Sequence, residues 1–236
     1  MTPVIWCIWT MTFIILSTTA SEAADATPIL TKLTKKYAPF LGEKGAREYL
    51  QELPFNIGDS GSTTTTLLVK GQRYQLELIA LADTDDCESC RGRIDAFVFR
   101  NGKPFFLEKS VWDGGSHGHP YMGDKVKVFP LTKESEGLLV TGMMWQPEGC
   151  SIFKVDLYGI DIMTQKLKLI FEAGEGDCDQ KEGVRLSALQ FDSKGLDAEG
   201  RGIFVLTLVK EKGTRKLRNS RTLRFDSTRW NLVDSR

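Results

Sequence analysis

Asn101-Gly102 stands between two runs of alternating residues, and no other feature limits the fold as much. A two-residue type I′ turn needs positive φ at both central positions, which Asn-Gly supplies most readily. Before the turn, Ile94, Ala96 and Val98 alternate with Arg93, Asp95, Phe97 and Phe99. After it, Phe105, Leu107 and Val111 alternate with Phe106, Glu108, Ser110 and Trp112. One face of such a pair is apolar. The other carries aromatics that need cover, which two β layers provide better than one sheet open to water.

The same period of two recurs along the rest of the chain. β-branched residues crowd 63–70, and Tyr74, Leu76 and Leu78 alternate with Gln75 and Glu77 over 73–82. Val126 and Val128 mark 125–131, and Leu139, Thr141, Met143 and Trp145 mark one face of 137–145. Phe153, Val155 and Leu157 alternate with Lys154 and Asp156, while Leu167, Leu169 and Phe171 alternate with Lys168 and Ile170. Runs at 184–191, 202–209 and 221–233 bring the total to about ten or eleven strands. The expected class is all-β, an antiparallel meander forming a β-sandwich. An irregular or partial β-propeller is the second choice. Five blades of roughly 40 residues would fit the length, but no internal repeat supports them.

Ahead of the strands, Thr27-Pro28 reads as a helix start, with Leu30, Leu33 and Tyr37 at helical spacing and Pro39 as the stop. A second helix is expected over 43–51, with Ala46, Tyr49 and Leu50 on one side. Earlier still, 4–16 is a mostly apolar run, too short for a span of about 18 residues or more, and small residues follow it at Thr18-Thr19-Ala20 and Ser21-Glu22-Ala23. This reads as a signal peptide, although no Lys or Arg precedes Lys32. The expected organisation is a signal peptide at 1–23, a helical segment at 24–56 and a single all-β domain at 57–236. Loss of Glu22 with the leader leaves 31 basic against 30 acidic residues, so overall charge points to no nucleic-acid partner.

Of five cysteines, Cys7 lies in the leader, leaving Cys87, Cys90, Cys150 and Cys178. An even number in an exported chain suggests two disulfides. If 151–162 and 166–172 are strands around a turn near Thr164-Gln165, residue numbers directly opposite one another sum to about 329. Cys150 and Cys178 sum to 328, so they are expected to pair, leaving Cys87 with Cys90. A redox role for Cys87-x-x-Cys90 is disfavoured. Asp83, Asp85, Asp86 and Glu88 surround it, where a reactive thiol needs cations or a helix N-terminus. There is no second cysteine pair at zinc-ribbon spacing, and the aspartates miss the calcium-loop pattern.

The pattern Cys87-x-x-Cys90-x-Gly92-x-Ile94-x-Ala96-x-Val98-Phe99, with Gly114-Gly115-Ser116-His117-Gly118 after the hairpin, resembles uncharacterised exported proteins of Gram-negative bacteria. The resemblance covers about 82–145. It implies an exported β protein of the periplasm and brings no activity.

Five features are candidate sites. His117 and His119, the chain's two histidines, lie two apart, and an extended backbone sends both to one side. With Met122, Asp113, Asp124 and Met143-Met144 near, imidazole and thioether suit copper, and imidazole with carboxylate suits zinc or nickel. The bland alternative is a glycine-rich surface loop. Gly58-Asp59-Ser60-Gly61-Ser62 echoes serine-hydrolase loops, but no histidine occurs where either pattern needs its base, so a turn before the first strand explains it better. A pair of dispersed carboxylates could serve a hydrolase. The stretch 210–229 holds eight basic residues against Glu211 and Asp226, and Arg215, Lys216, Arg218, Arg221 and Arg224 are its candidates for contact with an anionic partner. The alternative is an edge hairpin kept from aggregating by its charges. The acidic group Glu172, Glu175, Asp177, Asp179 and Glu182 reads as a solvated loop.

The expectation is an exported binding or structural module with an envelope protein or anionic surface component as partner. A copper- or zinc-binding protein and a hydrolase are the alternatives.

Overall fold

The computed structural model describes residues 19–51, 62–81, 93–113, 118–120, 126–145, 151–176, 184–212 and 214–235. The chain divides into two units, Met1–Glu52 and Leu53–Arg236. The first holds the helix α1 (Thr19–Gln51), broken at Gly42, whose φ is 73°. The second helix, after the break, begins where expected, and Ala46, Tyr49 and Leu50 are all buried. Tyr49 meets Tyr37 edge to face at 6.4 Å. Two expectations fail. The helix starts before Thr27, and it continues past Pro39. Proline removes one intrahelical donor and kinks a helix without having to end it, and the glycine, free to take positive φ, makes the break three residues on. No described helix is long and apolar enough to cross a membrane.

The described residues of the second unit form β-strands and turns. The first sheet is β1 (Ser62–Val69), β2 (Gln72–Leu81), β3 (Arg93–Arg100) and β4 (Lys103–Asp113). The central sheet joins β5 (Gly118–Pro120), β6 (Lys127–Thr132), β7 (Ser135–Trp145), β8 (Ser151–Asp161) and β9 (Lys166–Gly176). The third is β10 (Val184–Leu196), β11 (Gly202–Lys212), β12 (Arg215–Asp226) and β13 (Asn231–Asp234). Every described pairing is antiparallel, and strand order follows the chain in the first and third sheets. The expected sandwich is present, and it has three layers.

The central sheet is covered on both faces. Leu138, Val140, Tyr158 and Ile160 pack with Leu76, Leu78, Ile94 and Val98 of the first sheet. Leu139, Val155, Leu157 and Ile170 pack with Phe191, Phe204, Leu223 and Phe225 of the third. Phe191 stacks on both Phe171 and Phe204 at 5.4 Å, and each such ring pair adds about 0.5–1.5 kcal/mol to area burial.

The Asn101-Gly102 turn forms with both φ values positive, 52° and 72°. The face of β4 differs from expectation. Val98 pairs with Phe106 and Phe97 with Leu107, so Phe106 takes the inward position. The register then shifts where Ser110, at φ 55°, bulges. Asp95, fully buried, accepts the freed Ser110 N–H at 2.7 Å, which satisfies the bulge. The C-terminal run also splits. The strand begins at Arg215, before the expected residue 221, and turns back at 227–230 into β13. The three-residue β5 has too short a pattern to be read in the sequence.

The two ends of the stack differ. At the turn end, Gly71 N–H donates to Glu134 O at 3.0 Å and Lys70 N–H to Ser135 Oγ at 3.1 Å, pinning the β1–β2 turn on the β6–β7 turn. Edge donors are met across layers: Leu68 N–H reaches Glu136 Oε2 at 2.7 Å, and Leu167 N–H reaches Glu108 Oε2 at 3.2 Å. At the other, loop end, the strand ends flank residues 82–92, 114–117, 121–125, 146–150 and 177–183.

Candidate functional site at the loop end

The meander sends every second connection to the same end. The candidate cysteines and histidines therefore belong to segments that leave the strands at the loop end. Cys87, Cys90, His117, Cys150 and Cys178 lie outside the described residues. Gly58 to Gly61 do too, and β1 opens at Ser62. His119 is within β5, and the backbone register sets it opposite Met143, with Gly118 opposite Met144. Among the described residues no group of three or more His, Cys, Asp or Glu is placed to hold a metal.

The β8–β9 ladder bears on the cysteines. Ile152 pairs with Gly176 and Phe153 with Glu175, a constant sum of 328 that holds as far as Leu157 and Phe171. One register shift follows between Leu157 and Tyr158, which accounts for the difference between the two halves of the hairpin.

The basic stretch becomes an arm. The first eight residues of β12 are exposed, and burial begins only at Leu223. The apolar period stops there: Leu217 is 52% exposed. Strand alternation divides the five candidates between two faces. Arg215 and Arg221 share a face with Leu223, while Lys216, Arg218 and Arg224 share the opposite one. Arg221 lies 5.8 Å from the Phe171 ring, and Lys216 meets Glu211 at 3.3 Å. Arg224 is half-buried opposite Ile203, away from the arm. Lys210 bridges to Glu175 of the central sheet at 3.0 Å.

The acidic group is not all loop. Glu172 and Glu175 belong to β9, which runs to Gly176, because β8 continues to pair with it. Here the sequence hid a buried ionic cluster. Lys154 and Asp156 were the polar side of an apparently half-buried strand, yet the first sheet covers that side, and Asp156 is fully buried. Lys154 Nζ lies 3.2 Å from Asp156 Oδ2 and 3.0 Å from Glu172 Oε1. Burial works against the Lys154 ammonium, but the two carboxylates outweigh it and raise its pKa. Burial pushes the Asp156 carboxyl up, Lys154 offsets this in part, and Glu172 adds to the rise.

Tyr158, whose own pKa burial raises, hydrogen-bonds to Val111 O of the first sheet, and the same phenol lies 3.2 Å from Asp156 Oδ2. One phenolic proton faces two acceptors, and Asp156 Oδ1 has no hydrogen-bond partner among the described residues. A proton on Asp156 Oδ2 relieves the first shortage, since the carboxyl then donates to the phenol and the phenol to Val111 O. The cluster joins the first and central layers. With no exposed surface on Asp156, this carboxylate pair cannot present its acid to a substrate. The only sequence signal for it was two polar residues on a strand that turned out to be central.

Comparison of the chain with protein-family models, curated proteins and solved structures finds no match.

Proposed function

We propose that this is an exported binding module whose working surface is the loop end, with the β12 arm contacting an anionic component of the envelope. The exposure of residues 215–222 on both strand faces carries the reading. Arg215 and Arg218 extend past the core from the layered scaffold, with Arg221 over the Phe171 ring beside them, and strand ends beyond a core are where binding residues concentrate. Export rests on the apolar run at 4–16 and the small residues after it. Two disulfides fit the same compartment. Extending the 328 register two residues past Ile152 and Gly176 brings the numbering to Cys150 and Cys178, and Cys87 and Cys90 form the local pair.

Sedimentation with vesicles tests the arm. Binding to phosphatidylglycerol vesicles, none to phosphatidylcholine vesicles, and weakening as salt rises from about 50 to 200 mM are expected. An Arg218→Glu/Arg221→Glu variant that binds as well as the parent removes the reading.

The backbone pairing of His119 with Met143 favours a second reading, copper or zinc binding by His117 and His119 with Met143 beside them. Metal analysis of untagged protein beside a His117→Ala/His119→Ala variant decides it. Metal near one per chain, lost in the variant, supports the reading, and no metal after reconstitution sinks it.

A further inference from the structure

A cavity of about 150 Å³ opens at the turn end of the stack, far from the loop-end residues. All three layers build it. Lys70 comes from the β1–β2 turn of the first sheet, Ile160 and Asp161 from the end of β8, and Trp230 from the turn that precedes β13. Val69, Ile160 and Met163 give it apolar walls.

Trp230 is held there against local preference. Its φ is 55°, a left-handed conformation that a bulky L-residue seldom adopts. Its ring is received at Gly159, where any Cβ would lie 2.7 Å from the indole. Phe225 supports it edge to face at 6.1 Å. Glycine in β8 thus makes room for the tryptophan that walls the cavity.

The polar groups leave a charge unanswered. Lys168 Nζ stands 5.5 Å from the Trp230 ring centroid. Neither Lys70 nor Lys168 is in an ion pair among the described residues. Asp161 spends its Oδ1 on its own turn, accepting Met163 N–H at 2.9 Å and Thr164 N–H at 3.4 Å. Two ammoniums against one carboxylate leave one positive charge at the cavity. A volume of about 150 Å³ matches a benzene ring.

We propose that this cavity binds a small organic monoanion, a carboxylate carrying an apolar body about the size of a benzene ring. The apolar walls and Trp230 take the body, and Lys70 and Lys168 take the carboxylate. The site is independent of the arm and of any metal at the loop end.

Benzoate is the probe, titrated into the purified protein and followed by the Trp230 indole N–H resonance. Benzamide keeps the ring without the charge, and acetate keeps the charge without the ring. The expected result is a saturable benzoate shift, with benzamide and acetate each weaker by about tenfold or more. Lys168→Met or Lys70→Met weakens benzoate about three- to tenfold at unchanged melting temperature, since both side chains are exposed. The absence of a saturable shift overturns the site. Benzamide binding equal to benzoate, or full benzoate affinity in both lysine variants, overturns the recognition of the anion. Arg218→Glu leaves benzoate binding unchanged, so failure here and failure of the arm are separate results.

Discussion

The turn end and the loop end are built from the same strands but to opposite plans. At the turn end, two-residue turns such as Asn101-Gly102 close the hairpins, and backbone groups of one layer bond to the next, as Gly71 does to Glu134. At the loop end most connections are longer, although β11 and β12 meet across two residues, and Cys87, Cys90, Cys150, Cys178, His117 and His119 all fall in or beside the longer ones. The difference teaches a division of labour. The middle and the turn end supply packing, which tolerates little change. The loop end gathers residues with chemistry at the ends of strands whose cores lie elsewhere.

Two substitutions in the third sheet break this comparison most directly. Phe204 is fully buried among Phe129 and Phe191. Phe204→Ala is expected to cost about 3–5 kcal/mol in denaturant unfolding. Leu217, 52% exposed on the arm, is expected to change stability by less than about 0.5 kcal/mol when replaced by alanine. A large cost at Leu217 would mean that the arm is covered and is no free surface. The proposed Cys150–Cys178 bond is the next largest effect. It closes a loop of about 30 residues, so Cys150→Ser/Cys178→Ser is expected to lose about 2–4 kcal/mol. Peptide mapping of the unreduced protein checks the pairing itself, and a Cys87–Cys150 link would refute it.

The period of two made the antiparallel strands readable, and Asn101-Gly102 located the β3–β4 hairpin to the residue. The layering was not readable in the same way. Leu138, Leu139 and Val140 are consecutive apolar residues, which is how a strand buried on both faces looks. Lys154 and Asp156 beside Val155 masked the same fact in β8, because a buried polar cluster imitates a solvent face. The β4 bulge was hidden too, since the hydrogen bond from Ser110 to Asp95 joins residues on different strands. The arm's charge was visible in the sequence. Its exposure was not, because exposure depends on where the core of the third sheet ends.

Asp156 supplies a prediction of intermediate size. Its folded pKa is raised above the ordinary 3.8, by burial first. The proton therefore favours the folded state, and this contribution is present at low pH and lost as pH rises from about 4 through the folded pKa. Lys154 acts in another window. Its raised pKa gives stability that is full below 10.5 and lost only above it. Asp156→Asn removes the carboxyl titration without emptying the space. The stability of the variant relative to the parent should rise between pH 4 and pH 8 by about 1–3 kcal/mol, the cost of a buried group left unsatisfied. Unfolding curves at several pH values measure it. A relative fall over that range would show the carboxyl held ionised by Lys154, and the three-layer core would then contain a true buried ion pair.

A small effect is expected at the loop end, where the two layers meet in solvent. Lys210 and Glu175 are 39% and 38% exposed, so their bridge is screened and is worth less than about 1 kcal/mol. Lys210→Met keeps the aliphatic stem and removes the charge. It should leave stability within that limit, and the difference from the parent should vanish at about 1 M salt, where the Debye length is about 3 Å. Vesicle binding should also survive, because Glu175 already answers this charge, whereas Arg218 has no such partner among the described residues. A loss above about 2 kcal/mol would mean that the loop end is clamped as firmly as the turn end. The contrast between a packed end and an unencumbered one would then fail, and the arm would be an edge held in place by its charges.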